Sequence, residues 1–201
     1  MVNSGRNICL AVLAAGQSVR FTRGDKLAQP FHGKMLGLHI CEKLNGTGFA
    51  RSLVIAASGD HPCAQGWREY GFDVAVNDSA ADGMGTSVAL AARLAARDAA
   101  DGLLICLADM PFVPAAHFAR LTREFEEHGP GHIAASYDGC AVSPPALFGA
   151  THFPQLARLN ADKGAKTLLA AAQRVSIAPE LLIDIDTAEQ FDQMRKRDMP
   201  E

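Results

Sequence analysis

The sequence predicts an α/β fold in a single domain, with a mainly parallel sheet and helices on both of its faces. Three observations carry that expectation. Short apolar runs alternate with longer amphipathic or alanine-rich segments, the β-α-β-α order of a sheet covered by its own crossovers. The first run, Ile8-Cys9-Leu10-Ala11-Val12-Leu13, breaks into Ala14-Ala15-Gly16, a sharp turn out of a buried strand. A length of 201 residues suits one sizeable core.

The strand candidates are 7–13, 52–57, 72–76, 102–107 and 131–136, with helices at 35–45, 63–70, 84–97 and 115–128. Right-handed crossovers place the loops after the first and fourth strands on one sheet edge, where open α/β sheets bind ligands. Beyond residue 137 the rhythm changes. Gly139 and Pro144-Pro145 point to irregular or edge-strand structure, with Ala146-Leu147-Phe148 as a short apolar continuation. Helices follow near 151–158 and 163–172, the second with Asp162 as a candidate N-cap. A strand near Leu181–Ile185 precedes a last helix from Thr187, where Thr187 and Gln190 have capping-box spacing.

Composition narrows the function classes. Apolar residues at 48% and charged residues at 20% exclude a disordered chain. A net charge of -3 argues against nucleic acid or an anionic membrane as partner, so cations that matter must be local. The polar start, Met1 to Asn7, does not read as a signal peptide, and no apolar stretch is long enough to span a bilayer. Five dispersed cysteines without C-x-x-C spacing suggest a reducing cytoplasm and neither a disulfide framework nor a zinc site. The seven histidines show no metal-ligand spacing and read as surface or packing residues.

Chemistry-bearing residues gather at the predicted strand ends. After the first strand come Gly16, Ser18 and Arg20, then Lys26. Backbone N–H groups, a hydroxyl and two cations there suit a polyanion such as a nucleoside triphosphate. Arg20 can hold phosphate oxygens bidentately, and Lys26 can act as a point charge on the phosphate under attack. Gly-x-Ser-x-Arg alone also reads as a polar surface loop; its place between a buried strand and Asp25-Lys26-Leu27 favours the site. It is not a Walker loop, because no glycine precedes a Lys-Ser/Thr pair.

The run Leu103–Leu107 ends in Ala108-Asp109-Met110-Pro111. A carboxylate at the end of a buried strand is costly unless paired or bound to a cation. Asp109 therefore suits Mg²⁺, which takes oxygen ligands and bridges phosphates; the other reading is a turn residue ahead of Pro111. Sharing an edge with the glycine turn favours the metal. Asn77 and Gly83-Met84-Gly85-Thr86-Ser87 form a glycine-rich approach to helix 84–97. That approach can bring donors to a base or ribose, or serve only to cap the helix. It is not a dinucleotide motif, since Val88 stands at the third glycine position. Asp184-Ile185-Asp186 puts two carboxylates on one face of a short strand. Either is a candidate second metal ligand, and Asp186 reads equally as the start of the turn into the last helix.

Together these residues resemble the nucleotidyltransferase family of the molybdenum cofactor cytidylyltransferases and guanylyltransferases. The opening pattern stands as Leu13-Ala14-Ala15-Gly16-Gln17-Ser18-Val19-Arg20 and Lys26. Gly33-Lys34-Met35-Leu36 through His39 is similar to the family's approach to its first helix, and Ala108-Asp109-Met110-Pro111 to its Gly-Asp-Met-Pro. Asp162-Lys163-Gly164-Ala165-Lys166 and Asp184-Ile185-Asp186-Thr187 resemble segments of the cytidylyl branch. Departures are an apparent extra residue between Arg20 and Lys26, Ala108 and Ala161 where glycine is common, and Lys166 in place of arginine.

The resemblance implies a Rossmann-like nucleotidyltransferase fold, with about 1–112 binding nucleotide and about 113–201 binding the acceptor. It implies Mg²⁺-dependent transfer of a nucleotidyl group to a molybdopterin-type phosphate with release of pyrophosphate. Catalysis falls to Arg20, Lys26 and Asp109, and nucleotide binding to Leu13, Ala14, Ala15, Gly16, Ser18, Asn77, Gly83 and Ser87. Asp109 and Asp186 are the implied metal ligands, and Lys163 and Lys166 the implied acceptor contacts. Ala15, where the guanylyl branch usually has glycine, favours CTP. A molybdoenzyme or its chaperone is an implied partner. Rival readings are a guanylyltransferase, a sugar- or alditol-phosphate nucleotidyltransferase, a hydrolase and a non-catalytic molybdopterin carrier. A hydrolase nucleophile elbow wants glycine where Arg20 stands, and a carrier would need neither Lys26 nor Asp109.

Overall fold

The computed structural model describes residues 7–160 and 165–199. Its first strand, β1 (Ile8–Ala14), is buried along its whole length because its side chains feed two cores. Ile8, Leu10, Val12 and Ala14 face one apolar cluster, while Cys9, Ala11 and Leu13 face the other. That is the period-two alternation of a strand covered on both sides.

The chain continues through a small hairpin, β2 (Pro30–Phe31) and β3 (Lys34–Met35), and helix α1 (His39–Leu44) to β4 (Arg51–Ala56). Helix α2 (Ala64–Glu69) then leads to β5 (Asp73–Val76), α3 (Met84–Arg97) to β6 (Gly102–Leu107), and α4 (Ala115–His128) to β7 (Ile133–Tyr137). The last part comprises β8 (Val142–Gly149), α5 (Phe153–Leu156), α6 (Lys166–Leu169), β9 (Gln173–Ser176) and α7 (Ala188–Met194).

Seven strands form one sheet in the order β5-β4-β1-β6-β8-β7-β9. All pairs are parallel except those of β8, which runs antiparallel to both β6 and β7. Chain order reverses between β1 and β6, so their carboxyl ends open a crevice. Residues of α1, α2, α4 and α7 pack on one face, those of α3, α5 and α6 on the other. The expected fold class is the observed one. Among the described residues no helix is long and apolar enough to cross a membrane.

Three expectations are corrected after residue 137. Segment 142–149 is an interior strand rather than an irregular edge. Its pairing with β7 jumps from Ala146 to Ser143, so Pro144 and Pro145 fall in an irregularity where neither must donate to the ladder. No strand forms at 181–185; a 3-10 turn over Pro179–Leu181 precedes a segment that lies outside the sheet. The missing partner of β7 is instead β9, a largely exposed edge strand without apolar alternation. The helix expected over 163–172 is the single turn α6, and Asp162 lies outside the described residues. The capping box of Thr187 and Gln190 is present. Cys9, Cys41, Cys63 and Cys106 are buried, and burial pushes the Cys9 thiol up to about 11 and Cys63 to about 12, so they pack as neutral thiols.

Two predictions follow from packing. A methyl group on Gly149 would meet the Pro130 carbonyl oxygen at 2.0 Å, whereas one on Gly16 would meet nothing within 4 Å. Gly149→Ala should cost about 3 kcal/mol in urea unfolding, and Gly16→Ala roughly 0.5 kcal/mol or less. His117, on α4, donates through Nε2 to Ser136 Oγ (2.7 Å) and accepts at Nδ1 from Arg120 (2.9 Å). Burial pushes it down to about 4, below the roughly 6.5 of an unfolded histidine. Its neutral-state stabilisation is therefore complete above pH ~6.5 and is lost as pH falls toward 4. Between pH 7 and 4.5, wild type should lose about 2 kcal/mol more than His117→Gln, read from urea midpoints.

Candidate active site

Four chain segments meet at the carboxyl ends of β1 and β6. Leu13 lies in register beside Leu107, so the turns that follow leave the sheet side by side. They border a cleft of about 410 Å³. Leu13, Ala15, Gly16, Ser18 and Arg20 line it from the first turn, and Asp109 from the second. Gly83 and Ser87 line it from the start of α3, and Asp184 and Asp186 from the segment before α7.

Lys26 holds the centre. Its Nζ donates to Asp109 Oδ2 at 2.6 Å and to Asp186 Oδ1 at 2.9 Å, and Arg20 donates to the other Asp186 oxygen. The Lys26 side chain is only 9% exposed. Burial works against its charge, but Asp109 and Asp186 outweigh that and hold the ammonium above the ordinary lysine value. Burial lifts Asp109 above the usual carboxylate range, Lys26 offsets this only in part, and Asp184 and Asp186 add like charge. Asp109 Oδ1 is buried without a hydrogen-bond partner among the described residues. An orphaned carboxylate oxygen, crowded by two further carboxylates, is a donor set of hard oxygens that fits Mg²⁺ or Mn²⁺.

The placement of Lys26 has a mechanical cause. It opens a 3-10 turn capped by Asp25, whose Oδ1 accepts from the Leu27 N–H at 3.0 Å. The other Asp25 oxygen accepts from His61 Nε2 at 2.6 Å, a bond that lowers the Asp25 pKa. His61 Nδ1 accepts from the Cys63 N–H, and its ring stacks on Trp67 at 4.8 Å. The start of α2 thus braces the lysine turn from beneath. Ahead of Lys26, Phe21 is buried edge-to-face on Phe191 at 5.6 Å, and the chain turns at Gly24 with φ +87°. Arg23 pairs bidentately with Asp192 on α7. Asp186 is fixed in turn: the Ile185 N–H donates to the Asp109 carbonyl at 3.1 Å, and Gln190 Oε1 accepts from the Asp186 N–H.

The glycine-turn side of the cleft offers donors. Ser18 sits at φ +51° with its hydroxyl buried and without a partner among the described residues. Gly83, at φ +114°, starts α3 in a conformation that suits glycine, and no side chain caps that end. The Thr86 N–H donates to the Gly83 carbonyl at 3.1 Å, which leaves the Met84 and Gly85 N–H groups to meet an anion.

Some expected residues lie elsewhere. The Ala14 side chain packs in the opposite core. Asn77 lines no part of the cleft: its amide donates to Thr86 Oγ1 and Ser87 Oγ and its Oδ1 accepts from the Ser79 N–H, so it shapes the loop from behind. Lys166 is exposed on α6, away from the lining, and Lys163 lies outside the described residues. Asp184, Val19 and Met84 join the lining. Of these, Asp184 had a sequence signal in its spacing from Asp186, whereas Val19 and Met84 had only their neighbours.

The sequence and the fold are similar to those of known proteins. Residues 10–175 match the MobA-like NTP transferase domain. The purine catabolism protein PucB of Bacillus subtilis (strain 168) is 30% identical over 203 residues, 92% of this chain and 94% of that protein. A nucleotidyl transferase from Methanothermobacter thermautotroptrophicus (Mth528) has a TM-score of 0.76 at 20% identity, with 95% of this chain and 97% of that chain covered. Rv0371C from Mycobacterium tuberculosis H37Rv, solved in complex with manganese, has a TM-score of 0.72 at 23% identity, covering 94% and 98%. By the match over residues 10–175 and the 30% identity to PucB, the chain belongs to the MobA-like NTP transferase family.

Proposed function

We propose that this protein transfers CMP from CTP to the phosphate of a molybdopterin-type acceptor, releasing pyrophosphate. The observation that carries the reading is Lys26 held between Asp109 and Asp186 beside an open glycine turn. An oxygen of the acceptor phosphate attacks the α-phosphorus. A new P–O bond forms there, the bond to the bridging α–β oxygen breaks, and that oxygen leaves with pyrophosphate. Such chemistry needs positioning and charge neutralisation more than covalent help.

The backbone of 14–18, the Ser18 hydroxyl and Arg20 bind the β- and γ-phosphates. Lys26 exchanges its carboxylate partners for the α-phosphate and stabilises the charge that develops there. Gly83, Ser87 and the start of α3 take base and ribose, with Asn77 holding that loop in shape. Asp109 and Asp186, with Asp184 beside them, would hold Mg²⁺; such an ion, when bound, neutralises phosphate charge and orients the triphosphate. The manganese complex of Rv0371C supports that assignment. The stretch about 1–112 serves the nucleotide and about 113–201 the acceptor, whose anionic groups Lys163 and Lys166 meet. Ala15 favours CTP, and the nucleotide product passes to a molybdoenzyme or its chaperone.

Each of Lys26→Ala and Asp109→Ala should lower pyrophosphate release from CTP and molybdopterin by roughly a thousandfold while leaving circular dichroism unchanged. A screen of the four triphosphates should give the highest turnover with CTP; preference for another base removes the cytidylyl assignment. Because the Lys26 ammonium fills the space between the carboxylates, Lys26→Met should bind Mn²⁺ about tenfold more tightly than wild type without nucleotide, by electron paramagnetic resonance titration. Weaker binding in the variant would contradict the assignment of these carboxylates.

A further inference from the structure

A second cluster of ligating side chains sits at the opposite edge of the sheet. Helix α4 ends at His128, and the chain turns through Gly129, Pro130 and Gly131 before β7. Ile133 pairs with Phe148, and Gly149 with Gly102 at the start of β6, so this turn lies at the amino ends of the central strands. The catalytic cleft is at their carboxyl ends.

The turn brings together residues four apart in sequence. One ligand atom from each of Glu124, His128 and His132 lies within 4.8 Å of the others. Glu124 and His128 share a face of the last turns of α4, with His128 Nδ1 3.7 Å from Glu124 Oε1; Nδ1 donates to the Glu124 carbonyl at 2.8 Å, which leaves Nε2 as the ring's ligand atom. The rings of His128 and His132 stack at 4.4 Å, 18° from parallel. His132 Nε2 is buried and has no hydrogen-bond partner among the described residues. Surface packing accounts for the stacked pair, but it leaves that nitrogen unsatisfied, and buried polar atoms of this kind are rare in folded proteins.

We propose that Glu124, His128 and His132 form a site for a borderline transition-metal dication, with Zn²⁺ as the representative ion. Two imidazoles and a carboxylate match the chemistry of Zn²⁺ and are poor for Mg²⁺, so this site and the all-oxygen cleft select different ions. Ligand atoms about 2.1 Å from a shared ion lie roughly 3.4 Å apart in tetrahedral geometry. Closing the cluster then asks for a contraction of about 1.4 Å or less from the observed 4.8 Å, within reach of the exposed His128 ring. The partial negative charge at the carboxyl end of the 14-residue helix α4 adds attraction for a cation. A bound ion would staple the end of α4 to the start of β7 across the turn, a structural role away from the reacting groups.

The test is Zn²⁺ titration of the full chain by competition with a chromophoric chelator, together with Co²⁺ absorption in the visible region. Wild type should bind one equivalent that survives in Asp109→Asn and carries a nitrogen-ligated Co²⁺ spectrum. In His128→Gln, an exposed and conservative change, affinity for that equivalent should fall about tenfold or more, and Zn²⁺ should no longer raise the melting temperature. His132→Gln should behave the same way, with circular dichroism confirming its fold. Zn²⁺ affinity in His128→Gln within about twofold of wild type, or loss of the equivalent in Asp109→Asn, would overturn the proposal. The readout is metal binding rather than turnover, so it is independent of the nucleotidyl-transfer reading.

Discussion

The site depends on one lysine ammonium shared by two carboxylates that the chain delivers from far apart. Lys26 meets Asp109 across 83 residues and Asp186 across 160. Burying a carboxylate as deeply as Asp109 is unfavourable without a compensating cation. The parallel pairing of β1 with β6 brings the two turns together, and the Ile185–Asp109 backbone bond docks the third segment. Remove Lys26 and the buried Asp109 carboxylate loses its counter-charge.

That arrangement links the energetics of the free protein to its chemistry. With no nucleotide bound, the lysine neutralises the carboxylates and they neutralise it. The glycine turn, the Ser18 hydroxyl and the uncapped start of α3 meanwhile remain open donors. A triphosphate arriving with a divalent ion would supply both sets of missing partners at once, the ion for the carboxylates and phosphate oxygens for Lys26, Ser18 and the backbone. The brace of Asp25, His61 and Trp67 keeps the lysine turn fixed through that exchange.

The parts of this account readable in the sequence are those with local signals. The apolar runs of β1, β4 and β6 and the turn residues Gly16, Ser18 and Arg20 announce themselves within a few positions. Asp109 was readable because a carboxylate ends an apolar strand. Contacts between distant segments were not readable: nothing near Asp25 indicates that His61, 36 positions on, will hold it. Two prolines hid the interior strand β8, because the irregularity that excuses them shows only in its pairing with β7. The exposed strand β9 lacked any apolar pattern. His128 and His132 stood at helical spacing but were separated by a Gly-Pro-Gly turn, so only the fold shows that they meet.

The central claim is cleavage between the α- and β-phosphates with transfer to an acceptor phosphate. Parallel reactions with [α-³²P]CTP and [γ-³²P]CTP in the presence of molybdopterin test it directly. The α label should appear in the pterin product and the γ label in pyrophosphate. Release of the γ label as orthophosphate, with the α label remaining in CDP, would contradict it.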